Sequence, residues 1–307
     1  MSFFLSGEDD KMEKKLMLII NPAAGKGSYK VNLGEALHVL DMGGYRTSLF
    51  FTAGRGDATD FARAYAKEFD TVTCIGGDGT LSEVISGLME LDSPPPLGYI
   101  PMGTANDVAT TLNLPKNDTI AAARRIVHGG AHPFDVGGFG PEEYFAYIAA
   151  FGAFTEVSYA TPQNQTRVLG HLAYVLQGAI QLPKIESYSA RVEYDDGIIE
   201  GDFLYGSVSN STSVAGIVHL RDDLVCLGDG LSELVLVRNP GSLAEFNNIV
   251  DGVLRQSYDN KNLLIFHTHK ARFTFEKPVA WTRDGEAGGE YREIELCNYH
   301  RPIQLIF

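Results

Sequence analysis

Thr71-Val72-Thr73-Cys74-Ile75-Gly76-Gly77-Asp78-Gly79-Thr80 decides how this 307-residue chain folds. The run from Thr71 to Ile75 is short, apolar and bounded by turn residues, which reads as a buried strand. Three glycines follow, and Leu81 to Met89 then has helical spacing. A strand that breaks into glycines and restarts as a helix places free backbone N–H groups and the positive end of a helix dipole at its carboxyl end. An anion, above all a phosphate, fits there. Asp78 stands in the middle of that loop. A carboxylate so placed repels phosphates unless a divalent cation bridges them, so Asp78 reads as a ligand of a metal or of a metal-bound water. Thr80 and Glu83 have capping-box spacing, which gives both a structural role as well.

Outward from this stretch the same grammar recurs. Leu16 to Ile20 reads as a strand running into Asn21-Pro22-Ala23-Ala24-Gly25-Lys26-Gly27, where small residues allow close approach to a phosphate and Lys26 can supply positive charge. The loop lacks Walker spacing, and alone it reads equally as a Gly-rich turn. Tyr29 to Leu40 is an expected helix. Thr47 to Phe51 is a strand followed by Thr52, and Asp57 to Lys67 is a helix with Asp57 as its cap. Leu97 to Ile100 is a fourth strand, ending in Pro101-Met102-Gly103-Thr104-Ala105-Asn106-Asp107, where Thr104 and Asp107 again have capping spacing. Continuous apolar strands, each followed by a helix, predict a doubly wound, Rossmann-like parallel sheet covered on both faces. Ligands of such sheets sit at the carboxyl ends of the strands, where all three loops fall.

From about Ala131 the pattern changes. Ser189 to Tyr194, Ile198 to Val208, Leu234 to Val237, Leu263 to His267 and Ala271 to Phe275 read as strands, with a turn at Asp195-Asp196-Gly197. Val168 to Leu182 is the helix expected early in this half. Short, partly alternating strands predict an antiparallel β-sandwich. The expected organisation is an α/β nucleotide-binding domain at 12–131, a β-sandwich substrate domain at 132–297, and a last segment, 298–307, that returns to the first domain. Met1 to Lys11 reads as a start-site extension ahead of Met12.

Composition excludes several classes. Hydrophobic residues make up 44% and charged residues 21%, the balance of a globular chain. Net charge is −14 with no basic run beyond a doublet, which argues against nucleic acid. No run approaches the roughly 20 apolar residues of a membrane-spanning helix, and the N-terminus lacks a secretory pattern, so the expected location is cytoplasmic. Cys74, Cys226 and Cys297 lie far apart and read as small buried apolar residues. His267 and His269 share a face but have no third ligand in view and read as ordinary histidines. The aromatic cluster from Tyr144 to Tyr159 reads as sandwich core, or as the lining of an acyl-chain cleft. Lys14-Lys15 and Arg124-Arg125 read as solvated ends, and are among the few groups able to touch an anionic surface.

Taken together, the three loops and the late Asp284-Gly285-Glu286 resemble the diacylglycerol kinase catalytic domain family, whose bacterial members are soluble lipid kinases. The residues that carry the resemblance are Asn21-Pro22 with Gly25-Lys26, Gly76 to Thr80 with Glu83, and Pro101 to Thr104 with Asn106-Asp107. The resemblance implies that ATP lies against Asn21, Pro22, Ala23, Ala24, Gly25 and Lys26. It would also meet Thr52, the segment Gly77, Asp78, Gly79, Thr80, Leu81, Ser82 and Glu83, and Thr104, Asn106 and Asp107. It implies Glu286 as the general base toward the hydroxyl of diacylglycerol, with Mg2+ as cofactor and Asp78 serving catalysis. A structural magnesium is implied at Asp229 with the main-chain oxygens of Cys226 and Leu231. Here Gly228 replaces the first aspartate of the family's DDG turn, and Arg221-Asp222-Asp223 lies upstream. Peripheral contact with the inner face of a membrane and a homodimer are implied as well. Phosphoryl transfer through a loose transition state needs positioning and charge neutralisation above all, so a carboxylate base suffices. The other readings are a kinase of the same fold acting on a sphingoid base, phosphatidylglycerol or NAD, and an inactive nucleotide-binding regulator. Asp78 together with Glu286 separates a kinase from the regulator, which has no use for a distant base.

Overall fold

Alternate residues of the first strand face two different cores. Leu16, Leu18 and Ile20 pack with Ala36, Leu40, Ala123 and Ile126, while Met17 and Ile19 pack with Ala62, Leu81, Val84 and Ile85. A strand buried on both faces in this way belongs inside a sheet covered by helices on each side. The computed structural model describes residues 13–25, 32–104, 106–152, 186–214, 218–219, 226–255 and 260–307. The expected helix at 168–182, Lys26, and Arg221-Asp222-Asp223 lie outside these residues.

The first half runs β1 (Lys14–Ile20), α1 (Leu33–Met42), β2 (Tyr45–Phe51), α2 (Asp57–Tyr65), β3 (Thr71–Gly76), α3 (Asp78–Leu88), β4 (Leu97–Pro101), α4 (Asp107–Thr111) and α5 (Thr119–His128). Strand β1 lies between β2 and β3, and β3 pairs with β4, all parallel. Helices α2 and α3 cover one face, α1 and α5 the other. Helix α5 lacks a counterpart in the sequence reading, although Asp118 caps it, accepting from the Ala121 amide at 2.9 Å.

The second half contains β5 (Ala131–Phe139), β6 (Glu143–Phe145), β7 (Ile148–Gly152), β8 (Tyr188–Tyr194), β9 (Gly197–Ser209), β10 (Ser213–Val214) and β11 (Val218–His219). Then come β12 (Ser232–Arg238), a helix at Leu243–Leu254, β13 (Leu263–Thr268), β14 (Lys270–Arg283) and β15 (Glu286–Ile306). Pairing here is antiparallel, and β14 continues eight residues past the expected Phe275. Trp281, Phe151, Phe273 and Phe275 meet ring to ring in its core. The expected separate sandwich is not a separate sheet. Among the described residues one 13-stranded sheet runs β13-β12-β9-β7-β14-β15-β4-β3-β1-β2, with β8 pairing β9 and β14, β5 pairing β15, and β6 pairing β5. The junction is β15, whose Leu305 and Ile306 pair in parallel with Leu97 and Gly98 of β4.

Three expectations about caps change. Helix α3 begins at Asp78, not Leu81, with Gly77 as N-cap and no side-chain cap, so Thr80 and Glu83 form no capping box. Thr104 caps nothing at α4, whose N-cap is Asn106 in a left-handed conformation. Asp57 is the first residue of α2, and its carboxylate turns back to the amides of Ala53 and Gly54 at 2.7 and 2.9 Å. At the start of α2 it is Glu83 of α3 that accepts, from the Gly56 amide at 2.9 Å and the Ala58 amide at 3.3 Å. A carboxylate borrowed from the neighbouring helix serves there as well as a local one. Of the cysteines, Cys74 is buried as expected, but Cys226 is exposed and Cys297 half-buried.

Candidate active site

The parallel strands β1, β3 and β4 end side by side, so their three loops meet. The Asn21 side-chain amide donates to Thr80 Oγ1 at 3.0 Å, and its carbonyl oxygen accepts from the Ala23 amide at 2.9 Å. This clip turns Pro22, Ala23 and Ala24 back over the sheet and ends at Gly25, whose φ of 55° lies in the left-handed region. Thr52 follows β2 and donates its amide to the Ile20 carbonyl at 2.9 Å. The loops after β3 and β4 touch backbone to backbone. A Cβ on Gly103 would lie 2.5 Å from the Gly77 Cα, so no larger residue fits without moving the neighbouring loop.

Asn106 staples the third loop. Its Oδ1 accepts from the Gly103 amide at 2.9 Å and the Tyr99 hydroxyl at 3.3 Å, and its Nδ2 donates to the Gly103 carbonyl at 2.9 Å. Thr104 beside it is exposed. Leu81 is wholly buried in the core, leaving only its backbone to face the loop. The Ser82 hydroxyl reaches Asp284.

Asp78 has a structural role that spacing concealed. Its carboxylate meets the amides of Asp107 and Val108, the latter at 3.3 Å, and so satisfies the start of α4. Burial first, then the nearby Asp107 charge, pushes the Asp78 carboxyl up to about 7. Asp107 is itself buried. Two acidic groups held together in this way supply hard oxygen atoms that suit a magnesium ion bridging to phosphates.

The turn between β14 and β15 is a two-residue hairpin, with φ of 48° at Asp284 and 79° at Gly285, as the Asp-Gly pair suggests. It also does more. The buried Asp284 carboxylate accepts from the amides of Ala146, Tyr147 and Ile148 at 2.6, 3.0 and 3.1 Å. Burial raises its pKa, against those amides and Ser82, which lower it. This anchor brings Glu286 to α3: a Cβ on Gly79 would sit 2.9 Å from Glu286 Oε1. Glu286 Oε2 pairs with the Arg55 guanidinium at 3.1 Å, both groups substantially exposed. Arg55, Ser82, Tyr144, Arg283 and Glu286 line a cleft of about 230 Å3 between α2, α3 and the hairpin. The sequence reading missed Arg55, and it named Asp284 only as part of Asp284-Gly285-Glu286, without its anchoring role. A single arginine flanked by glycines in Gly54-Arg55-Gly56 was the available signal for the first.

The segment from Cys226 to Leu231 is held by other partners. Asp135, fully buried, accepts from the Gly230 amide at 2.6 Å and the Arg301 amide at 2.7 Å. The Arg301 side chain donates to the Gly228 carbonyl at 2.7 Å, and Asn298 donates to the Leu231 carbonyl at 3.0 Å. Asp229 accepts from the Leu231 amide at 2.9 Å. Among the described residues no cluster of three His, Cys, Asp or Glu side chains could hold a metal. His269 is paired with Asp195 at 2.8 Å. Nor is any described helix long and apolar enough to cross a membrane.

Comparisons with known proteins agree with this arrangement. Residues 15–139 match the family described as diacylglycerol kinase catalytic domain. The chain is 35% identical to a diacylglycerol kinase of Bacillus subtilis (strain 168) over 295 residues, covering 95% of this chain and 96% of that one. It is also 35% identical to a diacylglycerol kinase of Staphylococcus aureus (strain MRSA252) over 296 residues, covering 96% and 92%. The crystal structure of a diacylglycerol kinase from Bacillus anthracis str. Sterne has the same fold, with a TM-score of 0.76 at 21% identity over 97% of this chain and 98% of that one. An NAD kinase from Archaeoglobus fulgidus, solved with ATP, is a more distant fold relative at a TM-score of 0.54 and 13% identity, covering 95% and 93%. With three glycine loops at one sheet edge, and relatives matched along nearly their full length, the chain belongs to the diacylglycerol kinase family of lipid kinases.

Proposed function

We propose that this enzyme transfers the γ-phosphoryl group of ATP to the free hydroxyl of diacylglycerol, giving phosphatidic acid, at the surface of a membrane. The observation that carries the reading is the placement of Glu286 against Gly79 in the first turn of α3. A carboxylate brought there from the far end of the chain lies where an acceptor hydroxyl would meet a phosphate cradled by the loops.

ATP binds with its phosphates over the backbone of Asn21 to Gly25 and Gly77 to Thr80. Glycine contacts between the loops let the backbone approach, and the amides of α3 face the charge. Asn21, Asn106 and Glu83 act mainly by fixing the shapes of loops and helices, because their side chains are already hydrogen-bonded. Thr104 reaches the nucleotide from the rim of its loop, and Lys26 supplies positive charge toward the phosphates. Magnesium, held through Asp78 and Asp107, would neutralise phosphate charge as transfer proceeds. Glu286 accepts the proton of the acceptor hydroxyl, with Asp284 holding the hairpin and Arg55 holding the carboxylate. A second, structural magnesium would use Asp229 and the carbonyls of Cys226 and Leu231, hard oxygens of suitable chemistry on a loop the protein already braces. The antiparallel half, 132–297, serves the lipid.

Labelled ATP with magnesium and micelles of diacylglycerol, phosphatidylglycerol or a sphingoid base, with NAD as a soluble acceptor, tests the reading. Label is expected in phosphatidic acid. Label passing to another acceptor in preference would replace diacylglycerol, and bound ATP with no transfer to any would leave a nucleotide-binding regulator.

A further inference from the structure

Strand register lines up side chains across one face of the antiparallel sheet. The Asp284 amide donates to the Ile148 carbonyl at 2.9 Å, Ile148 pairs with Ser209, and Ser209 pairs with Glu233. In the next row Thr282 pairs with Ala150, Ala150 with Ser207, and Ser207 with Val235. Opposed residues of antiparallel strands point to the same face. These rows therefore run from the hairpin that carries Glu286 across β7 and β9 to β12. Their other members, Ile148, Ala150 and Val235, belong to one apolar cluster.

Polar groups in this apolar setting stand out. Ser207 and Ser209 are 0% exposed and Glu233 is 1% exposed. Among the described residues the Ser209 hydroxyl and Glu233 Oε2 have no hydrogen-bond partner, and the Ser207 hydroxyl has no other than the nearby Tyr205 hydroxyl. The Tyr205 hydroxyl is Ser207's polar neighbour, and the Ser211 amide meets the Glu233 carboxyl. Thr282, by contrast, is satisfied by the Ala150 carbonyl at 3.2 Å. Leaving a buried polar group unmatched costs about 1–3 kcal/mol. Packing alone would favour alanine at both serines, and buried groups of this kind are ordinarily matched by water or a ligand.

Resting on the diacylglycerol reading above, we propose that Ser207 and Ser209 are specificity residues that donate hydrogen bonds to the ester carbonyl oxygens of the acceptor lipid. Ser209 lies one strand spacing, ~4.8 Å, from Ile148. The Ile148 amide is held by Asp284, two residues before the proposed base. An ester carbonyl close to the reacting hydroxyl falls on this path, and Ile148, Ala150 and Val235 take the first methylenes of the acyl chains. A carbonyl oxygen only accepts, and a serine hydroxyl can donate.

The test compares dioctanoylglycerol with the diether dioctylglycerol, which lacks carbonyls, in mixed micelles with the full chain. Wild-type kcat/KM is expected to favour the diester about tenfold, as two hydrogen bonds of ordinary strength would give. In the double variant Ser207→Ala/Ser209→Ala that preference should fall to about one. The variant's KM for ATP and its rate with the diether should hold. Equal wild-type rates on the two lipids would overturn the proposal without any variant, so misfolding cannot obscure it. A double variant that keeps the ester preference would overturn it too, leaving the hydroxyls as hosts of buried water. If no glycerolipid of either kind is phosphorylated while another acceptor is, the diacylglycerol reading itself fails and takes this one with it.

Discussion

Glu286 is the residue on which the proposed chemistry turns. Glu286→Gln keeps the shape of the side chain and removes the base, so transfer to lipid is expected to fall by about a hundredfold or more, with ATP affinity unchanged. Near-normal turnover in that variant would remove Glu286 from the base role. Gly103→Ala tests the loop contact. The new methyl must displace the Gly77 backbone. A loss of about 1–3 kcal/mol in stability and a weaker ATP affinity are expected from calorimetric titration and melting. Glu233 supplies a pH signature. Burial, with the Asp229 charge adding to it, pushes this carboxyl up to about 9 from an ordinary value near 4.5. The folded chain therefore keeps a proton that the unfolded chain has released, and stability falls as pH rises through that window. Urea midpoints at pH 5 and pH 8 should separate the wild type from Glu233→Gln, with the wild type losing more on going up. The glycine loops and Asp78 stood out in the sequence by spacing, and Glu286 only through the family resemblance. The caps did not: Asp78 satisfies α4 and Glu83 satisfies α2, contacts 30 and 27 residues apart that no local pattern encodes.

At the level of elements, α2 and α3 form a unit that Glu83 ties together. Glu83→Ala leaves the Gly56 and Ala58 amides without their acceptor and should cost about 1–2 kcal/mol, measured by thermal unfolding. Because Gly56 adjoins Arg55, the same change should loosen the ion pair with Glu286 and lower the transfer rate more than it weakens ATP. An unaltered rate in a destabilised Glu83→Ala would show that α2 plays no part in the site. The parallel strands were readable within a residue or two: β1, β3 and β4 are buried runs with a glycine or proline at or just past their ends, while β2, a largely exposed edge strand, showed mainly through its aromatic end. Strand β15 was read only at its end, the return of 298–307 to the first domain: its burial pattern is irregular and it breaks register between Tyr299 and Ile303. Its pairing with β5 and β4 spans more than 150 residues of chain, and long-range pairing of that kind leaves little local trace. Asp284 likewise binds amides 138 residues away, so the anchor of the proposed base could not be found by spacing.

For the molecule as a whole, one hydrogen-bonded sheet joins the two packed domains that the change of pattern near Ala131 suggested. Domains that share a strand cannot melt separately, so calorimetry should show a single transition. Two resolved transitions would restore the two-domain picture. The shared strand also bears on how the protein is made. The free edge of β4 is closed by Leu305 and Ile306, more than 200 residues further along the chain. While they are still in the exit tunnel, the nucleotide half, already synthesised, carries an open sheet edge able to pair with another nascent chain. Synthesis of this kinase thus leaves one seam open until β15 emerges, and a chaperone guarding that edge in the meantime would raise the yield of active enzyme.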